Sequence, residues 1–245
     1  MSLDPNVLER IAARGWPAAQ AGALGDWGLF ASDGRSGRIN SCWARGAPDR
    51  GVDAAIEAVE AWYEARGLPA RFKLIDTIAA PADLADRLAR RGYRAATPTL
   101  TMIGILAGAT DPDADIADAP GAAFRLVFSN PAFGDAGDAA ERLATLARIP
   151  APRGFTRISL RGAPAAVGVC AIDGEWAGIM GMRTVPAFRR QGFGRRVFRA
   201  LAHHAAGLGA TRGYLQVEQE NAAAVALYRS EGFEAAYLYR YWVKP

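Results

Sequence analysis

The sequence predicts an α/β protein of two similar halves, each a mixed, mainly antiparallel sheet flanked by helices. Three observations carry this expectation. Strand-like apolar runs alternate with stretches of helical spacing along the whole chain. The stretch Ala107–Gly121, AGATDPDADIADAPG, breaks that pattern with Ala, Asp, Gly and Pro; it reads as a linker between a first segment, 1–106, and a second, 122–245. Both segments also close alike, on a short helix, Gly, an aromatic residue and a strand: Gly92-Tyr93 in the first, Gly232-Phe233 in the second.

In the first segment, Asp4 before Pro5 starts a helix that ends near Gly15. Trp27–Ala31 and Arg38–Ala44 have strand character and are joined through Asp33-Gly34. Asp49 can cap a helix over Arg50–Arg66, with an apolar stripe of Ile56, Val59, Trp62 and Tyr63 and a stop at Gly67. A strand over Phe72–Ile78, a short helix over Pro81–Arg91 and a strand over Tyr93–Leu106 complete the segment. In the second segment, Phe124–Phe128 reads as a strand and Asp138–Ile149 as a helix. Strands follow over Phe155–Leu160, Ala166–Ile172 and Trp176–Val185, the last two joined by the hairpin signal Asp173-Gly174. A helix from Gly192 to about Gly207, a strand Tyr214–Glu218, a helix Asn221–Glu231 and a strand Phe233–Val243 end the chain. Aligned on the Gly-aromatic pair, Tyr228 of the second segment faces Leu88 of the first, and Asn221 faces Pro81. Polar groups in one copy only suggest one working site and one retired one.

Composition excludes several classes. With 51% hydrophobic and 22% charged residues the chain can bury a core, which rules out a disordered protein. No run approaches the roughly 18 uninterrupted apolar residues of a membrane span, and Met1–Arg10 lacks the apolar core of a secretion leader, so no membrane partner is expected. The net charge is +4, but only Lys73 and Lys244 are lysines, and the arginines are interleaved with acids. There is no basic stripe, so no nucleic-acid partner is expected. Cys42 and Cys170 lie in apolar strand-like runs and read as buried thiols of a reducing, cytoplasmic compartment. With two cysteines and two adjacent histidines, His203 and His204, there is no metal-ligand spacing.

The chemistry concentrates in two stretches. In MRTVPAFRRQGFGRR, Met182–Arg196, a strand gives way at Pro186 to Arg189-x-x-Gly192-x-Gly194, which opens a helix. The first amides of a helix have no helical acceptor, and glycines let a ligand approach them, so this turn can hold an anion. Arg189, Arg190, Arg195 and Arg196 crowd the same helix start, where cations are disfavoured by about 0.3–1 kcal/mol each; a bound pyrophosphate relieves that conflict. In the second stretch, NAAAVALYRSEGF, Asn221, Ala224, Val225 and Tyr228 share one helix face. Asn221 also has the ordinary reading of a cap, and Tyr228 that of a core residue.

Together, Arg-x-x-Gly-x-Gly after strand and Pro, then helix, strand and Asn-x-x-Ala-x-x-Leu-Tyr-x-x-x-Gly-Phe resemble the GCN5-related N-acetyltransferases, or GNAT proteins. The likeness is carried by Trp176–Val243, extends from Ala122, and is architectural over the first segment, which resembles the degenerate copy of tandem members. It implies two acyl-CoA N-acyltransferase-like folds and acetyl-CoA as co-substrate, with no metal. It also implies roles for individual residues. Backbone groups of Met182, Arg183 and Thr184 pair with the pantetheine arm. Amides from Arg190 and Gln191 through Gly192, Phe193, Gly194, Arg195 and Arg196 cradle the pyrophosphate. Asn221 binds the pantetheine side, and Tyr228 protonates the leaving thiolate. That thiol has a pKa of about 8.5, so the acid helps modestly, and a phenol at about 10 is protonated at neutral pH. A base for the amine is also needed. Glu218 is the candidate, on the strand face of Tyr214 and Gln216, with Glu175 a weaker second choice. No covalent nucleophile stands out, so direct attack in a ternary complex is expected.

The first segment departs from the pattern. Where the phosphate loop should lie it reads ARGAPDRGVDAA; Asp49 and Asp53 oppose phosphate, and Leu88 has no hydroxyl. This half is expected to bind no coenzyme. A small-molecule amine is the expected acceptor, with a protein amino terminus or lysine as the alternative. A non-catalytic acyl-CoA-binding module and a homodimeric assembly also remain open.

Overall fold

The computed structural model describes residues 4–78 and 81–245, so residues 1–3 of the Met1–Arg10 stretch lie outside the described residues. In chain order, the first half comprises α1 (Pro5–Gly15), β1 (Gln20–Leu24), β2 (Trp27–Ala31), β3 (Ser41–Ala44), α2 (Val52–Glu64), β4 (Arg71–Ile75), α3 (Leu84–Arg90) and β5 (Arg94–Ile105). There follow β6 (Ala114–Ala117), α4 (Ala122–Phe128), α5 (Ala136–Arg148), β7 (Arg153–Leu160), β8 (Ala163–Asp173), β9 (Trp176–Thr184), α6 (Phe193–Gly207), β10 (Arg212–Glu218), α7 (Ala222–Ser230) and β11 (Glu234–Val243).

These strands do not form two sheets. They join in one eleven-stranded sheet of order β1-β2-β3-β4-β11-β5-β10-β9-β8-β7-β6. Leaving out the edge strand β6, the order is symmetric about the β11–β5 pair. β1–β4 continue into β11, the last strand of the other half, and β7–β10 continue into β5. β3–β4 and β9–β10 are the two parallel pairs, one on each side. The exchange gives the 12-residue β5 and the 10-residue β11 partners on both edges, so neither is left as an open template.

Local departures have local causes. AAFRLVF forms helix α4 rather than a strand: Phe124 and Phe128, four apart, stack at 5.5 Å and are buried with Val127 against the sheet. Of the predicted strand Arg38–Ala44 only Ser41–Ala44 is extended, because Gly37–Ile39 make a 3-10 turn. β1, QAGAL, gave no strand signal and is drawn into the sheet by pairing with β2. The predicted linker contains β6, an edge strand on β7. Asp49 does not cap α2; its carboxylate holds Arg50 at 2.8 Å, and the helix opens at Gly51 without a side-chain cap.

The two sheet faces are read from the registers. Ile75, Tyr239, Thr99 and Glu218 are neighbours across β4, β11, β5 and β10, and Ile75 and Tyr239 pack under Leu8 and Ile11 of α1. Leu238, Leu100 and Val217 form the adjacent row on the other face, where Val217 packs with Val197 and Phe198 of α6. Helices α2, α3, α6 and α7 cover that second face, and α1, α4 and α5 the first. The halves are also clamped together by buried Glu141 of α5. Its carboxylate accepts the backbone N–H groups of Asp33 (2.8 Å), Arg35 (3.2 Å) and Ser36 (2.6 Å) and the Asn40 amide (2.8 Å), so it holds the β2–β3 connection.

Candidate active site

β9 and β10 pair only over Trp176–Gly178 and Arg212–Tyr214. Beyond that point β9 follows β8 to Thr184 and β10 follows β5 to Glu218, and an opening forms between them. One lip carries Met182, Arg183 and Thr184. The β8–β9 register breaks between the pairs Val169–Met180 and Val167–Arg183, at Gly181, whose φ of 60° a side chain would strain. The bulge re-aims the residues after it. Met180 packs with the α4 cluster, whereas Met182, two residues on, packs with the α6 cluster. Arg183 therefore returns to the α4 face, its guanidinium 4.9 Å from the Phe133 ring and 5.8 Å from Phe128.

The second lip is the start of α6. A 3-10 turn, Pro186–Phe188, leads to Arg190 at φ 60° and to Gly192 at φ 82°, which stands at the cap position with no capping side chain. The left-handed arginine costs about 1 kcal/mol or more. Arg196 donates its amide to Gly192 O at 3.1 Å, the first helical bond. Among the described residues no acceptor meets the amides of Gln191, Gly192, Phe193, Gly194 and Arg195. Five consecutive N–H groups are thus open to an anion, and Arg196, predicted with them, has spent its own. The Phe193 side chain is buried, edge-on to Phe188 at 5.9 Å, so only its backbone faces the turn. A methyl added at Gly194 would lie 3.6 Å from Leu227 Cδ2 and 4.0 Å from Thr184 Oγ1. The amide row, α7 and the end of β9 therefore meet at one place.

The expected charge conflict is partly settled inside the protein. Arg196 makes a two-pronged contact with Asp111 (2.6 and 2.7 Å) and reaches Asp113 at 2.6 Å. The guanidinium holds the Asp111 carboxyl below its ordinary range. Arg195 and Arg199 share Glu231, at 3.0 and 2.7 Å. Arg189 and Arg190 have no carboxylate partner among the described residues; Arg189 donates to Thr184 O at 3.4 Å, and Gln191 uses its side-chain amide on Ala187 O. Asp111 sits in the stretch expected to be a bare linker, and the alternating acids of DPDAD were the available signal.

On α7, Asn221 caps the helix by accepting Ala224 N–H at 3.2 Å. Tyr228 is half-buried, its ring 5.6 Å from Phe198, and its hydroxyl points at Met182 Sδ, 3.6 Å away on β9. Burial pushes its pKa up to about 12, and a thioether is a weak acceptor, so the phenol keeps its proton. Glu218 ends β10, exposed, on the α1 face, while Tyr228 packs on the α6 face; the two lie on opposite sides of the sheet, beside the opening. Glu175 immediately precedes β9, at its paired end, seven residues before Met182, and its carbonyl accepts the amides of Thr211 (3.0 Å) and Arg212 (2.9 Å).

A polar cluster that sequence reasoning missed lies under α1. Lys73 and Glu9 are both buried and paired at 2.5 Å; Tyr237 donates to Glu9 at 2.8 Å, and Gln216 reaches it at 3.4 Å. Burial lowers the Lys73 pKa to about 8, against the pull of Glu9. The signal was a lone lysine in the apolar run RFKLI. Cys42 and Cys170 are buried free thiols, and burial raises both pKa values, Cys170 to about 12, so neither is a ready nucleophile. Among the described residues no group of three or more His, Cys, Asp or Glu could hold a metal, and no helix is long and apolar enough to cross a membrane.

Known proteins resemble this chain in sequence and in fold. A family model described as "Probable histone acetyltransferase Rv0428c C-terminal" matches residues 6–242. A curated relative, the uncharacterized N-acetyltransferase YobR of Bacillus subtilis, is 28% identical over 248 residues, covering 98% of this chain and 99% of its own. A GCN5-related N-acetyltransferase from Kribbella flavida has the same fold, with TM-score 0.72 at 18% identity over 98% of this chain and 95% of its own. A tandem GNAT protein from the clavulanic acid biosynthesis pathway matches with TM-score 0.58 at 11% identity, over 78% of this chain and 68% of its own.

Proposed function

The chain belongs to the Rv0428c C-terminal acetyltransferase family, and from that premise we propose that it moves an acetyl group from acetyl-CoA to a primary amine of a small molecule, by direct attack in a ternary complex. One observation carries the reading. Five unpaired amides, Gln191–Arg195, stand beside an opening where Tyr228 of α7 meets Met182 of β9.

The amides and the α6 dipole bind the pyrophosphate, with Arg190 as a further cation. The unpaired edge of Met182, Arg183 and Thr184 pairs with the pantetheine arm and supplies an oxyanion donor. Asn221 has a side-chain N–H₂ left for the same arm once its oxygen has capped α7. The amine nitrogen attacks the thioester carbonyl, the C–N bond forms, and the C–S bond breaks. Tyr228 gives its proton to the departing sulfur. The amine proton passes to Glu218, which stands on the other face of the sheet, where an acceptor can enter without crossing the coenzyme.

The first half we read as a second copy of the fold that has lost its site. The symmetric strand order and the likeness to a tandem GNAT protein support this. The family description favours one alternative acceptor, a lysine or amino terminus of a protein. Thiol release from acetyl-CoA, measured with small amines and with a lysine peptide, separates the two. Release only with the peptide overturns the small-molecule acceptor, and coenzyme binding with no release from either points to a regulatory module. Coenzyme A should raise the melting temperature far more than pantetheine; equal shifts would remove the pyrophosphate cradle.

A further inference from the structure

We propose that the accepted amine carries an anionic group, a carboxylate in the first place, and that Arg183 is the residue that binds it. This rests on the acetyl-transfer reading and adds the substrate class.

The Gly181 bulge separates two neighbouring side chains. Met182 goes to Tyr228 and the α6 face, and Arg183 goes to the α4 face. There Arg183 lies 4.9 Å from the Phe133 ring, and Arg189 approaches the same ring to 5.7 Å. Two guanidiniums thus converge on one aromatic residue. Neither has a carboxylate within 4.0 Å among the described residues, and Arg183 Nε is buried with no acceptor. Elsewhere around α6, by contrast, Arg195, Arg196 and Arg199 are each matched to an acid.

The acids nearest Phe133 in sequence are already committed. Asp135 takes Arg35 and the Asp138 amide, Asp138 takes Arg142, and Glu141 takes the β2–β3 connection. A cation stacked on rings is partly desolvated and held in place, with its fork of N–H donors free for a bidentate anion. An uncompensated pair of this kind is a seat for an anion.

Which anion follows from the face. The amide row belongs to the α6 side, where the coenzyme phosphates are held, and Arg183 lies across the sheet from it. Glu218 is on that same far side, exposed and with no ion-pair partner among the described residues. A carboxylate by Arg183 and an ammonium nitrogen by Glu218 describe an amino-acid-like acceptor.

The test uses pairs of amines differing by one carboxylate: phenylalanine against phenylethylamine, and lysine against cadaverine. Thiol release from acetyl-CoA should favour the carboxylate member in the wild type. In Arg183→Ala the preference for the carboxylate member, read as the ratio of kcat/KM within each pair, should fall about 10- to 100-fold. Arg183→Lys should restore part of the loss. A matching rise in the KM for acetyl-CoA would reassign Arg183 to the coenzyme phosphates, and a preference for the decarboxylated amines or for a lysine peptide would overturn the proposal. Binding of the same amino acids to the coenzyme A-loaded protein, followed by melting temperature, gives a readout that needs no turnover. Arg183-dependent binding without thiol release leaves the seat standing and removes the transferase reading; binding that ignores Arg183→Ala removes the seat.

Discussion

Helices α6 and α2 hold corresponding places in the two halves. Each follows the first strand of a parallel pair, β9 or β3, and packs beside the short helix that follows the second, α7 or α3. Their first turns carry opposite chemistry. The first amides of both lack an acceptor among the described residues, but at α6 the nearby side chains are arginines, whereas at α2 the first turn carries Asp53, tied to Arg87 of α3 at 2.5 Å and to Arg91 just after it at 3.3 Å. The charge across the helix pair is inverted: cations of α6 meet Glu231 after α7, and acids of α2 meet cations of α3. β9 runs nine residues and extends past its partner, while β3 stops after four. Tyr228 is answered by Leu88, fully buried in the core. The two corners therefore share one architecture and differ in a handful of first-turn side chains, which seal the corner at α2, and in the length of one strand.

The strongest way to disturb the comparison is to unclamp the halves. Glu141→Ala leaves three backbone N–H groups and the Asn40 amide without their buried acceptor, at about 1–3 kcal/mol each when unrelieved. The melting temperature should fall by roughly ten degrees or more, with Glu141→Gln intermediate. An unchanged melting curve would show that the clamp carries no weight.

Next in size is Tyr228→Phe. We expect kcat to fall by about 10- to 100-fold while coenzyme affinity, read by titration, stays within twofold. Wild-type turnover would end the general-acid role. The pH profile sharpens the same point. Burial raises the phenol's pKa, so the protonated, donating form persists to about pH 12 rather than being lost near 10. In the wild type kcat should therefore hold its plateau between pH 9 and about 11; a decline centred near 10 would contradict that.

The smallest effect is expected from repairing the sealed corner. Asp53→Asn with Leu88→Tyr removes the opposing charge and supplies a hydroxyl, but not the long strand arm. Equilibrium binding should still find one coenzyme per chain, and a second site would mean that charge alone had closed it.

What could be read from the sequence was whatever is local. The loop Arg189–Gly194, the Asn221 cap and the Tyr228 spacing lie within two short stretches, and their geometry depends on residues a few positions apart. The exchange of β5 and β11 depends on which distant edge each strand meets, and alternating side chains look the same beside either. AAFRLVF is short enough to satisfy both periods, and only burial against β8 decides for the helix. The facing of Arg183 turns on one bulge, visible in the sequence only as Gly181 in GIMGMRT. Glu9 and Lys73 are 64 residues apart, and nothing near either names the other.

The crossed closing strands give the first half a hold on the second. Seven consecutive residues of β10, through Glu218 against Thr99, are laced to β5, which the first 106 residues supply. A gene shortened to the part that bears the catalytic signature would lose the plank on which its own candidate base is mounted.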